Sequence, residues 1–83
     1  MDEFIREFIE NHAKDILKAE SIESYNRRSG YARGIIHGFF IADEITEEEY
    51  HEMIALTEEI EDLYWEQGKI DFKSAHRRLF PEK

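Results

Sequence analysis

Apolar residues recur every three or four positions along most of this chain, and that helical period constrains its fold more than any other feature. Ile5, Phe8, Ile9, His12 and Ile16 share one stripe, widened by Phe4, Ala13 and Leu17. The spacing predicts a helix over residues 2–19, with Asp2 and Glu3 in its first turn and Lys14 and Lys18 nearer its end, the order that complements the helix dipole. A second stripe runs through Ile22, Tyr25, Ala32, Ile36 and Phe39, flanked by Ile35 and Phe40. Ser21 is its N-cap, followed by Glu23 in the first turn. The poor helix formers Asn26, Ser29 and Gly30 leave a second start open, near Ser29, with residues 20–28 as a loop.

The third helix has the clearest signal. Thr46 caps it, Glu49 closes a capping box, and Ile45 with Tyr50 forms a hydrophobic staple. It should end near Gln67, where Gly68 can turn left-handed. Its apolar arc holds Tyr50, Met53, Ile54, Leu56, Ile60, Leu63 and Tyr64, with Trp65 at one edge. Asp71 can cap a short fourth helix that turns Phe72, Ala75, Leu79 and Phe80 inward and stops at Pro81. The stretches FFIADEITEEEYHEMI and YWEQGKIDFKSAHRRL align 25 residues apart, a shared way of starting a helix rather than a solenoid repeat. The fold expected over residues 1–83 is all-α, a single domain built as a compact bundle of three long helices and one short C-terminal helix, antiparallel because the connections are short.

Gly30, Gly34 and Gly38 stand four residues apart in the second helix, where each costs roughly 1 kcal/mol relative to Ala. With Ala42 they line a strip turned away from the main apolar stripe. A strip without side chains admits a close neighbour, which implies either packing inside the fold or a homodimer or partner seam. A membrane dimerisation motif does not fit, because Arg27, Arg28 and Arg33 precede or interrupt the segment.

A chain of 83 residues buries only roughly 64% of its unfolded surface, and without cysteine it has no disulfide to staple it. The charged start, MDEFIREFIENHAKD, lacks the pattern of a signal peptide, and no segment reaches bilayer length, so a soluble cytoplasmic protein is expected. The net charge of −9 is uneven: residues 44–68 carry −10 with neither Lys nor Arg, while residues 21–43 carry +1 and residues 69–83 carry +3. That distribution excludes direct binding along nucleic acid, which needs a continuous basic footprint. It suits a protein partner with a basic groove. Glu47, Glu48, Glu52, Glu58, Glu59 and Asp62 form an acidic row that serves such docking or only solubility, with Trp65 as an aromatic contact.

No catalytic set, metal site or cofactor is expected. There is no nucleophile with a base and an orienting group, His12 falls on the core stripe, and His37 lies near the glycine strip. Glu48 and His51 have the E-x-x-H spacing of di-iron bundles, but Lys73 replaces the acid before His76 in the second copy. Glu61 falls inside the apolar arc, where it either reaches Arg33 or His12 or keeps its carboxylate in water. Lys69, Lys73, Arg77 and Arg78 form a small basic patch.

The run YARGIIHGFFIADEITEEEYHEM resembles small acidic helical proteins encoded by phages and conjugative elements of bacteria. The resemblance implies an accessory protein that binds a host or competitor factor, with anti-CRISPR inhibitors as one precedent, and it carries no catalytic residues over. The expected function is thus a non-enzymatic regulator or inhibitor that presents its acidic helix to the basic groove of a nucleic-acid-binding protein. The alternative is a module that self-associates through the glycine-lined face.

Overall fold

A computed structural model of the chain describes residues 1–68, which form three α-helices joined by short links. They are α1 (Glu3–Lys14), α2 (Ile22–Ile41) and α3 (Glu47–Glu66), with a 3₁₀ turn, Asp15–Lys18, after α1. The fourth helix with its Asp71 cap, the second half of the recurring turn, and the patch Lys69, Lys73, Arg77 and Arg78 lie outside the described residues. No described helix is long and apolar enough to cross a membrane.

Side-chain oxygens start each helix by accepting a backbone N–H that has no intrahelical partner. The Asp2 carboxylate accepts from the Phe4 amide at 2.7 Å, and the Ser21 hydroxyl from the Ser24 amide at 3.1 Å. The capping box of α3 is complete: Thr46 Oγ1 accepts from the Glu49 amide at 3.1 Å while the Glu49 carboxylate accepts from the Thr46 amide at 2.9 Å. The Ser21 start therefore prevails, and residues 22–28 are helical despite Asn26 and Ser29.

Helix α2 stops in a Schellman arrangement that the sequence does not announce. Asp43 adopts φ +61°, its amide donates to the Phe40 carbonyl at 3.1 Å, and the Glu44 amide donates to the Phe39 carbonyl at 2.9 Å. Gly68 takes the expected left-handed conformation after α3, at φ +68°.

Helix α1 is shorter than its stripe predicts. Beyond Lys14 the chain tightens to three residues per turn, which aligns Ala13, Ile16 and Ala19, all wholly buried, on one inward edge before the link to α2. The core has two layers. One joins the end of α1 to the first half of α2 and the end of α3 through Ala13, Ile16, Ala19, Ala32, Ile60 and Tyr64, with Tyr25 of the first turn of α2 packed against them. The other joins the start of α1 to the end of α2 and the start of α3 through Ile5, Ile9, Ile36, Ile45 and Met53. This pairing makes α2 antiparallel to both of its neighbours.

Two expected core features are reversed. Phe4 and Phe8 are 73% and 37% exposed, because the buried row of α1 is Ile5, Ile9 and Ala13, one residue further round the helix. Among the described residues the glycine strip packs against nothing. Gly30, Gly34, Gly38 and Ala42 are exposed, and a Cβ added at any of the three glycines meets no atom within 4 Å. The bundle buries the opposite edge of α2, through Ile22, Ser29, Ala32 and Ile36, so close packing among the three described helices does not explain these glycines.

Candidate functional site

The buried edge of α3 is Met53, Thr57, Ile60 and Tyr64, a period that leaves the far side of the helix in water. Thr57 enters this row because its hydroxyl donates to the Met53 carbonyl at 2.9 Å, so its one polar group is satisfied within the helix. Leu63, expected inside, is 44% exposed. The outer side presents Glu47, Glu48, Glu52, Glu58, Glu59, Asp62 and Glu66, all exposed. Glu52 meets Arg6 at 3.3 Å and Glu47 meets His51 at 3.7 Å. Among the described residues Glu48, Glu58, Glu59, Asp62 and Glu66 make no ion pair.

Two acids of α3 have other duties. Glu49 binds the Met1 ammonium at 2.6 Å as well as the Thr46 amide, and these contacts, the ammonium first, hold its pKa below the ordinary value of 4.5. Glu61 is drawn inward to α2, where Arg33 Nη2 donates to Oε1 at 2.6 Å and Nε to Oε2 at 3.2 Å. The buried Ser29 hydroxyl also donates to Oε2. Arg33 is therefore the partner and His12 is not. The fork on Glu61 pushes the Arg33 guanidinium further toward its charged form.

Trp65 stands apart from the acidic row. Half-buried, it donates from Nε1 to the Tyr25 hydroxyl at 3.2 Å, with its ring 4.9 Å from Tyr25 and 5.3 Å from Tyr64. It ties α3 to α2. Burial raises the pKa of both tyrosines, opposed at Tyr25 by the Trp65 hydrogen bond.

The face shared by α1 and α2 is of a different character. Between Gly30 and Ala42 none of the fully exposed residues is Asp, Glu, Lys or Arg, and the half-covered Arg33 is paired with Glu61. Phe4 stacks on Phe8, Phe8 meets Phe39 edge-on at 6.1 Å, and an open hollow of about 400 Å³ is lined by Phe8, Ile35, Gly38, Phe39, Ala42 and Glu44. Tyr31 and Ile41 are 60% and 68% exposed on the same helix. The apolar spacing of the sequence does not reveal this surface, because it assigns Phe4, Phe8 and Phe39 to core stripes.

The histidines are separate. His12 Nδ1 donates to the Phe8 carbonyl at 2.8 Å, while His37 and His51 are exposed near Tyr50. Glu48 and His51 both lie in water, and no cluster of three or more His, Asp or Glu suited to a metal ion exists among the described residues.

Fold and surface together define a three-helix antiparallel bundle with one acidic and one apolar face. No protein-family model matches the chain, and neither a curated protein nor a solved structure does so.

Proposed function

We propose that this protein is a non-enzymatic regulator or inhibitor that docks through α3 onto a basic groove of a nucleic-acid-binding partner. The observation that carries this reading is the acidic row itself. From Glu48 to Glu66 the helix rises about 27 Å and carries six outward carboxylates, about 5.4 Å apart on average. A single DNA strand carries one phosphate per about 3.4 Å. The row thus approaches a nucleic-acid strand in linear charge, on a helix pinned by a full capping box and by the Arg33–Glu61 fork. The resemblance of residues 31–53 to accessory proteins of phages and conjugative elements supports the role of an inhibitor, for which anti-CRISPR proteins are the precedent.

The test reverses the charge at Glu48, Glu52 and Glu59 with Lys. Wild-type protein should retain a basic nucleic-acid-binding protein from lysate of its own host at moderate salt, and added DNA should displace it. The triple variant should lose that partner. Retention unaltered by the variant, or indifferent to DNA, overturns the reading.

A second reading is self-association through α2, favoured by the uncharged exposed face beside the hollow at Phe8 and Phe39. Two molecules of net charge −9 repel least where that face meets its copy. Light scattering at high micromolar concentration should then show a dimer that Gly34→Leu dissociates; a wild-type monomer removes this reading.

A further inference from the structure

Of the six Lys and Arg side chains among the described residues, three are neutralised, Arg6 by Glu52, Lys18 by Asp15 and Arg33 by Glu61, and Lys14 stands alone in water. Arg27 and Arg28 are not neutralised either, since among the described residues neither lies within 4.0 Å of a carboxylate oxygen. Both line one open cavity of about 390 Å³, between the end of α1 and the first half of α2, together with His12, Asp15 and Tyr31.

The lining is partly held in place. Arg28 Nε donates to the Ser24 hydroxyl at 3.1 Å and Nη1 reaches the Asp15 carbonyl at 3.5 Å, which fixes the guanidinium and leaves its other N–H groups to the cavity. The Asp15 carboxylate is engaged by Lys18 at 3.1 Å. His12 spends Nδ1 on the Phe8 carbonyl, so Nε2 is its remaining polar atom, and its ring lies 5.3 Å from that of Tyr31. The Tyr31 hydroxyl and the Arg27 guanidinium have no hydrogen-bond partner among the described residues.

We propose that this cavity binds a phosphomonoester that carries a planar ring, with the phosphate between Arg27 and Arg28 and the ring against Tyr31 and His12. A phosphomonoester carries a charge of about −1.5 to −2 at neutral pH, which two arginines match, and planar guanidinium forks suit its oxygens. The volume lies at the small end of ligand sites, about 300–1,000 Å³, and exceeds the need of a bare phosphate. The aromatic pair accounts for the remaining space. This inference is independent of the docking role of α3.

The experiment follows backbone amide shifts by NMR at low salt while adenosine monophosphate, inorganic phosphate and adenosine are added separately. The monophosphate should give saturable shifts centred on residues 12, 27, 28 and 31, at a dissociation constant below about 10 mM. Phosphate alone should bind at the same residues more weakly, and adenosine should not bind measurably. Arg27→Gln, at an exposed side chain with no hydrogen bond or ion pair among the described residues, should weaken binding about fivefold to tenfold, and the double variant with Arg28→Gln should abolish it. Lys14→Gln, an exposed cation off the cavity, should change nothing. Absence of saturation, shifts of equal size in Arg27→Gln and Lys14→Gln, or binding by adenosine as tight as by the monophosphate overturns the proposal.

Discussion

Glu61 shows how a single residue can be legible and incomplete at once. Its angular position among Ile60 and Tyr64 leaves three readings, Arg33 or His12 as partner or a carboxylate in water, and the fold selects Arg33. Ser29 is not legible, because a hydroxyl in the weak NRRSG stretch looks like a helix breaker until the fold brings it to Glu61. The pair is partly covered, with Glu61 13% and Arg33 41% exposed, so water screens it less than a surface pair. Arg33→Ala strands a covered carboxylate that retains only the Ser29 hydroxyl. It should cost about 1–3 kcal/mol in urea unfolding, whereas Arg27→Ala should stay within about 0.5 kcal/mol. Arg33→Met combined with Glu61→Leu should recover most of the loss, since an apolar pair needs no counter-charge. A single variant as stable as wild type would show that solvent already satisfies Glu61.

At the scale of the element, starts are written more plainly than orientations. Ser21 and Thr46 cap where the sequence puts them, and Asp2, expected in the first turn of α1, is its cap instead; short oxygen-bearing side chains compete locally for free amides, an effect that needs no knowledge of the rest of the fold. Which way a wide apolar stripe turns depends on its neighbours. Phe4 and Phe8 therefore lie outside while Ile5 and Ile9 fill the core, and the glycines of α2 face outward. Those glycines are a measurable weakness of the isolated molecule. Each of Gly30→Ala, Gly34→Ala and Gly38→Ala adds a methyl group that touches no described residue and restrains the unfolded chain. Each should stabilise the fold by about 0.8–1 kcal/mol, and raise Tm by about 4–8 °C. Where such a variant gains stability but loses association, the glycines serve a contact between molecules. A variant that gains neither would mean that α2 is already restrained at these positions by a neighbour.

For the whole molecule, short links and three periodic stripes foretold an all-helical antiparallel arrangement, while the surfaces stayed obscure because exposure follows from the orientation of all three helices together. The same global packing sets the response to pH. On the acid side Glu49, held below 4.5 by the Met1 ammonium and the Thr46 amide, contributes stability above that value and loses it as the pH falls through its folded pKa. The alkaline side has a deeper origin. Tyr64 is wholly buried, its hydroxyl donates to the Ala19 carbonyl at 3.1 Å, and burial, then Glu20, raises its pKa above 10.0. Tyr25 stacks on it at 4.7 Å and is raised by burial as well. A raised folded pKa means that the neutral phenol is favoured in the native state. Its contribution is complete below 10.0 and disappears as the pH climbs through the folded value, because ionisation removes the donor to Ala19 and leaves a charge between three helices. Urea midpoints should therefore decline above pH 10, in step with the rise of tyrosinate absorbance. Tyr64→Phe should lower stability at neutral pH by about 1 kcal/mol through the unpaired Ala19 carbonyl, yet make the alkaline decline shallower. Equal declines in the variant and the wild type would place the alkaline sensitivity outside this aromatic corner.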